Sequence, residues 1–356
     1  MKKSFLFLAV CAAALTACTS EEVIEEGVQS NAIGFQQIVG KESRALSNSS
    51  LNTFYVFGYY TKQNFTSSPI TVFSGDQVKK NADGWGYENT RYWVPDATYR
   101  FFAYSCENNA GALDEDADNG TAGMTFDEQG FATIGISDYI CDDGHQHDLI
   151  FAKNDAGIVG KQTDNAKVAL SFSHLLTKLK IKFESAFPAG YDLKVSAVNI
   201  SNIYTTADYS LTYSTSGASE SWATKGTTTN NVLNVQPGTV MTASAEIPAT
   251  GDAEKVDAVP AVTADAYVIP HKYTNTNVQV SFKVEFVNEG VTVMERVFTG
   301  TWKPIWEAGK AYLYTISISG EEASLEKIEF SDPEIGDWVE ANGPTINFGV
   351  PTNPAN

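Results

Sequence analysis

Val278-Gln279-Val280-Ser281-Phe282-Lys283-Val284-Glu285-Phe286 places an apolar side chain at every second position for nine residues. Successive side chains of a strand point to opposite faces, so this pattern puts one face on a core and the other in water. A helix would scatter the same residues around its whole circumference. The stretch therefore predicts a half-buried antiparallel strand. Lys178-Leu179-Lys180-Ile181-Lys182-Phe183 repeats the pattern, and Tyr312, Tyr314, Ile316 and Ile318 continue it in the last third of the chain. No long amphipathic helix competes with these signals.

The composition agrees. The chain has 356 residues, which predicts two domains. Hydrophobic residues make up 43% and charged residues 19%, enough apolar material for real cores and too little charge for a disordered chain. Gly, Thr, Ser, Asn and aromatics favour strands and turns. In the first half, Phe54-Tyr55-Val56-Phe57-Gly58-Tyr59-Tyr60 reads as a strand. Arg91-Tyr92-Trp93-Val94 and Tyr99-Arg100-Phe101-Phe102-Ala103-Tyr104 read as neighbouring strands joined at Pro95-Asp96. Turn-rich residues 108–120, 214–231 and 249–262 read as loops. A composition break over residues 154–166 is the candidate domain boundary. The expected fold class is all-β.

The net charge of −19 repels phosphate backbones and anionic lipid, so nucleic acid is not an expected partner. Any hold on a membrane must come from elsewhere. Lys2 and Lys3 followed by apolar residues 5–17 read as a signal peptide, too short to span a bilayer. Leu15-Thr16-Ala17-Cys18 resembles a bacterial lipobox. Cys18 would then become the first mature residue and carry acyl chains, each buried CH₂ contributing about 0.8 kcal/mol to anchoring. Cys11 leaves with the signal, so Cys106 and Cys141 remain in an exported chain. The compartment permits a disulfide between them, and two buried free thiols are the alternative.

Signals for catalysis are weak. Cys141-Asp142-Asp143-Gly144-His145-Gln146-His147-Asp148 is the most site-like stretch, but a distant third metal ligand is missing and a polar loop accounts for it. No G-x-S-x-G elbow appears, and Ser173-His174 lacks a third member. No enzyme activity, metal or cofactor is expected. Tyr59-Tyr60, Tyr92-Trp93, Trp302 and Trp306 read either as core packing or as sugar-stacking platforms.

The chain resembles the fimbrillin (Mfa-like) family of Bacteroidales type V pili. The resemblance rests on the order of its pieces. The lipobox ending in Cys18 precedes Ala32-Ile33-Gly34-Phe35 and Ser43-Arg44-Ala45. Then come Phe54-Tyr55-Val56-Phe57-Gly58-Tyr59, Tyr92-Trp93-Val94-Pro95, Asp148-Leu149-Ile150-Phe151-Ala152 and Phe172-Ser173-His174-Leu175-Leu176-Thr177-Lys178-Leu179. Trp306-Glu307-Ala308-Gly309-Lys310-Ala311-Tyr312-Leu313-Tyr314 closes the series. The acidic Thr19-Ser20-Glu21-Glu22 is similar to the stretch that directs Bacteroidota lipoproteins to the cell surface.

The resemblance implies two tandem transthyretin-like antiparallel β-sandwich domains. It implies a lipoprotein at the outer membrane and cell surface, cut by a trypsin-like protease, with Arg44 as the expected site and Lys41 as the alternative. Cleavage would withdraw a first strand bearing Ile33, Phe35, Ile38 and Val39. Another fimbrial subunit would then add a strand to the vacated groove. The expected organisation is a signal peptide at 1–17, a tether with the removable strand at 18–47, and sandwiches at 48–160 and 161–356. The second ends in strand-like residues 325–330 and 344–350, which either donate to a neighbour or complete their own domain. A surface-anchored glycan-binding lipoprotein that does not polymerise is the alternative reading, and a surface hydrolase the third.

Overall fold

The computed structural model describes residues 31–37, 51–62, 68–82, 84–106, 113, 119–161, 165–186, 192–229, 231–235, 245–247, 261–319 and 334–337. All regular structure among them is strand.

The first body is built on an eight-stranded sheet. Its members are β1 (Phe35–Gln37), β2 (Thr53–Lys62), β3 (Ile70–Asn81), β4 (Gly84–Tyr87), β5 (Ala97–Cys106), β8 (Leu149–Val159), β9 (Val168–Leu170) and β10 (Phe172–His174), in the order β10-β8-β5-β2-β3-β4-β1-β9. Only Ser171 separates β9 from β10 in the chain, yet they occupy opposite ends of the sheet. The sheet therefore curls until its ends meet, as a barrel does. Its interior holds Phe54, Val56, Phe73, Trp93, Tyr99, Phe101, Ile150 and Leu170.

The outer face of β2, β5 and β8 is covered by a second sheet of β6 (Thr121–Phe126), β7 (Ala132–Ile140), β13 (Thr206–Ser214) and β14 (Gly217–Lys225), in the order β14-β13-β7-β6. Between them lie Phe102, Tyr104 and Phe151 from the first sheet and Ile134, Tyr139, Tyr209 and Leu211 from the second. β5 is thus buried on both faces, which explains its unbroken apolar run Phe101-Phe102-Ala103-Tyr104.

The second body is a sandwich. One sheet contains β11 (Thr177–Ala186), β17 (Ala261–Val262), β18 (Ala266–Val268), β23 (Lys310–Ser319) and β24 (Glu334–Asp337); the other contains β12 (Asp192–Ser201), β15 (Val232–Asn234), β16 (Ala245–Ile247), β20 (Val278–Asn288) and β21 (Val291–Trp302). A two-stranded piece, β19 (His271–Lys272) with β22 (Ile305–Trp306), flanks them. The alternating residues meet as the periodicity requires. Leu179, Ile181 and Phe183 of β11 and Tyr312, Tyr314, Ile316 and Ile318 of β23 face Val280, Phe282, Val284 and Phe286 of β20. Phe183 and Phe282 pack edge to face at 4.9 Å. Pairing is antiparallel except for β1 with β9 and β11 with β23.

Three expectations need correction. The boundary at 160/161 does not separate the bodies, because β9, β10 and the β13–β14 hairpin all return to the first body. The candidate break overlaps the end of β8, where the register with β5 shifts between Asn154 and Ile158 but pairing resumes at Ile158 and Val159. Residues 214–231 are not simply a loop: β14 pairs with β13 along its whole length, from Thr206↔Lys225 to Ser214↔Gly217. Tyr92 does not pair with β5. It bridges Ala32 instead, and Asp96, at φ 61°, turns the chain away.

Candidate functional site: the first strand and its groove

Ile33 and Phe35 lie on one face of the opening segment, and both are buried in the barrel interior. The ring of Phe35 is surrounded by Phe73 at 5.4 Å, Tyr87 at 5.7 Å, Phe101 at 5.9 Å and Phe54 at 6.0 Å, all near edge to face. Burying an isoleucine and a phenylalanine contributes roughly 1.5–3 kcal/mol each. The exposed Gln36 alternates with them on the outer face.

The backbone of this segment is held on both sides. On one side the amide of Ile33 donates to the carbonyl of Arg91 at 2.8 Å, and the amide of Trp93 donates to the carbonyl of Asn31 at 2.9 Å. The Tyr87 hydroxyl donates to the Ile33 carbonyl at 2.7 Å, and Phe35 aligns with Trp85 of β4. On the other side the amide of Val168 donates to the carbonyl of Gly34 at 2.7 Å, and β1 runs parallel to β9 with Phe35↔Val168, Gln36↔Ala169 and Gln37↔Leu170 in register. β1 is therefore a short stave between two walls. Removing it would leave two unpaired strand edges and two apolar pockets, the requirements for β-strand addition.

The wall holds its shape through contacts that do not involve β1. The Arg91 guanidinium donates to Asp76 at 2.7 Å, to the Val72 carbonyl at 3.2 Å, to the Glu88 carbonyl at 3.2 Å and to the Asn89 carbonyl. It also lies 5.3 Å from the centre of the Phe73 ring. The Tyr87 hydroxyl accepts from the Arg91 amide at 3.3 Å, and burial raises its pKa, so it stays protonated and able to donate to Ile33. None of Tyr87, Arg91 or Val168 was singled out from sequence. Isolated polar or single apolar residues carry no periodic signal, and their role depends on pairing partners far away in the chain.

The remaining sequence candidates separate cleanly. Cys18, Arg44, Lys41, Ile38 and Val39, and residues 325–330 and 344–350, lie outside the described residues. Cys106 and Cys141 are free thiols, both buried in the core between the two sheets of the first body. Cys141 donates to the Tyr267 carbonyl at 3.1 Å, and burial, with the nearby Asp142 carboxylate, pushes its thiol far above the usual range. His145 contacts Asp142 at 2.7 Å within its own loop, and among the described residues no group of three His, Cys, Asp or Glu side chains converges. Trp93 and Trp306 are each only 2% exposed, so neither offers a face to a sugar; Tyr92, at 62%, does.

Two of the quoted motifs meet at the junction between the bodies. Asp148 and His174, both buried, contact at 2.9 Å. The closing motif lies against the same segment: the Gly309 amide donates to the Leu176 carbonyl at 2.8 Å, and the Thr177 hydroxyl donates to the Glu307 carbonyl at 2.8 Å. Gly309 has φ +70°, and a Cβ there would come within 3.3 Å of the His174 carbonyl, so both conformation and space call for glycine.

Comparison with known proteins agrees with this architecture. A family profile described as fimbrillin-like matches residues 43–338. A crystal structure of a fimbrial protein from Bacteroides vulgatus is similar over 86% of this chain and 99% of its own, with a TM-score of 0.62 and 16% identity, which shows a shared fold. The fimbrial anchor protein Mfa2 from Porphyromonas gingivalis aligns over 86% of this chain and 97% of its own, at 10% identity and a TM-score of 0.31, too low to carry an argument. No match was found among curated proteins. The profile spans most of the chain, and the chain belongs to the fimbrillin-like family.

Proposed function

We propose that this fimbrillin-like chain is a structural subunit or adhesin of a type V fimbria, exported as a lipoprotein and assembled by strand exchange after proteolysis. The observation that carries the proposal is the placement of β1. It is a three-residue strand with no hairpin partner among the described residues, wedged between β4 and β9, and it inserts Ile33 and Phe35 into an aromatic core. Upstream lies the lipobox at Cys18, and downstream lies Arg44. Cutting after Arg44 would free the strand and the lipid together. The strand of a neighbouring subunit would then satisfy the exposed amides and carbonyls. A head-to-tail contact of this kind does not close on itself, so it extends into a fibre. Other fimbrial subunits are the partners, and the outer membrane and cell surface the location.

The test is a limited digest of the Cys18→Ser chain, which cannot be acylated. Low-dose trypsin should produce a new N-terminus at Ala45 by mass spectrometry and a stable remainder that forms oligomers or fibres by size exclusion and electron microscopy. A remainder that is cut at Arg44 and stays monomeric would overturn strand exchange and favour an adhesin that remains single.

A further inference from the structure

A cleft of about 450 Å³ opens where the two bodies meet, and none of its lining residues belongs to β1 or to the strands beside it. One side is β14, the outermost strand of the second sheet. Its register with β13 sets Trp222 opposite Tyr209 and Glu220 opposite Leu211. Opposed residues share a face, so both side chains lie on the face that Tyr209 and Leu211 bury. Here that face is incompletely covered: Trp222 is half-buried, and the side chain of Glu220 is 41% exposed. The other side comes from the second body, as His271 and Lys272 of β19, the exposed Ile305 of β22 and Glu307 just after it.

The polar groups are set in place. The Glu220 carboxylate accepts from the Tyr209 hydroxyl at 3.1 Å and pairs with Lys153. The Trp222 ring packs 5.4 Å from that of Tyr209. His271 meets the rings of Tyr204 at 4.8 Å and Tyr273 at 4.7 Å, both edge to face. Burial lowers its pKa, so near neutral pH the imidazole is uncharged, with one nitrogen to donate and one to accept. We propose that this cleft binds a neutral pyranose sugar at the end of a glycan chain.

A pyranose has a patch of C–H groups on one face and hydroxyls around its edge. The patch gains by burial on an apolar surface such as the indole of Trp222. The hydroxyls need both donors and acceptors, which Lys272, His271, Glu220 and Glu307 supply. The volume falls within the roughly 300–1,000 Å³ of small-molecule sites. Charge selects among ligands. Lys153 offsets Glu220, and Lys272 offsets Glu307, so the cleft has no formal surplus to attract a cationic peptide. The whole chain carries −19, which repels sialylated or sulfated glycans. An inward-pointing charge also protects an edge strand from pairing, and that would account for Glu220. It does not account for the partly open tryptophan beside it or for the neutral imidazole across the cleft.

The experiment uses the uncut full-length chain carrying Cys18→Ser, so it depends on neither cleavage nor strand exchange. Saturation-transfer NMR would be recorded with the methyl glycosides of mannose, galactose, glucose and N-acetylglucosamine, and with sialyllactose and a tri-arginine peptide as charged probes. The expected result is transfer to the ring C–H protons of at least one neutral sugar. Trp222→Ala and Glu220→Ala should each weaken that binding about tenfold or more, while Tyr92→Ala, outside the cleft, leaves it unchanged. Circular dichroism reports folding, and Glu220→Ala, at an exposed position, carries the test if Trp222→Ala does not fold. Transfer to no neutral sugar, transfer only to sialyllactose or the peptide, or binding that survives Glu220→Ala would overturn the assignment. Failure of the trypsin-treated chain to assemble would leave it standing.

Discussion

Replacing Phe35 by alanine in the uncut chain removes the ring that β1 drives into the barrel. Phe35 is 1% exposed and touches four aromatic rings belonging to β2, β3, β4 and β5. Such rings close a cavity poorly when their neighbour is lost, so the cost is about 3–5 kcal/mol. A typical domain has only about 5–15 kcal/mol in hand. The loss falls on a strand of only three residues, paired with β4 and β9. It should therefore appear first as opening of β1 rather than unfolding of the whole body. At about 1.4 kcal/mol per tenfold, the undocked population rises by ~10² or more. The assay is the rate of tryptic cutting in residues 38–50, followed by mass spectrometry, alongside urea denaturation. Gln36→Ala, on the exposed face, is the control. A Phe35→Ala chain that melts within about 1 kcal/mol of the parent and is cut no faster than the control would refute the argument that β1 seals the core.

Asp148→Ala should lower stability in urea by about 1–3 kcal/mol, because it takes a 2.9 Å partner from the buried His174; a change below 0.5 kcal/mol would remove its claim to hold the junction. Cys106 and Cys141 should resist a thiol reagent in the native protein and react together once denaturant is added, since both are buried and Cys141 is shifted strongly toward the neutral thiol. Rapid labelling of the native protein would contradict that. Burial lowers the pKa of His147, with the His145 charge adding to the effect, and burial likewise lowers that of His271. A depressed imidazole means that the unfolded chain binds more protons, so this contribution to stability is present above the unfolded pKa of about 6.5 and is lost as pH falls. Tm should drop between pH 7.5 and pH 5.5, and His147→Gln with His271→Gln should flatten that slope.

Much of the fold was legible where one face of a strand is wet. β11, β20 and β23 alternate cleanly, and their apolar rows proved to be the faces of one sandwich core. β5 was legible for the opposite reason, as a continuous apolar run. β14 was not, because six of its nine residues are exposed on an outer edge and its serines and threonines resemble a loop. Nor could local pattern reveal that the β13–β14 hairpin crosses back to cover the first body. Such pairing depends on contacts such as Tyr209↔Ile136, many residues apart. The site was half legible. Ile33 and Phe35 were expected from the family resemblance, whereas the groove that receives them is assembled from Tyr87, Arg91 and Val168, which no periodicity links. The lesson from Trp93 and Trp306 is similar: an aromatic pair in sequence says little about whether its rings face solvent.

The parallel pairing of β1 with β9 has a consequence for how the chain is born. β1 is near the start, yet its partner, residues 168–170, is synthesised well over a hundred residues later. Pairings of such long range form late, because closing the intervening loop costs entropy before any contact forms. A segment synthesised well before its partner is thus among the last to find its place. Until that pairing forms, the nascent chain carries Ile33 and Phe35 unsheltered, the kind of exposed apolar surface that makes incompletely folded chains prone to aggregate.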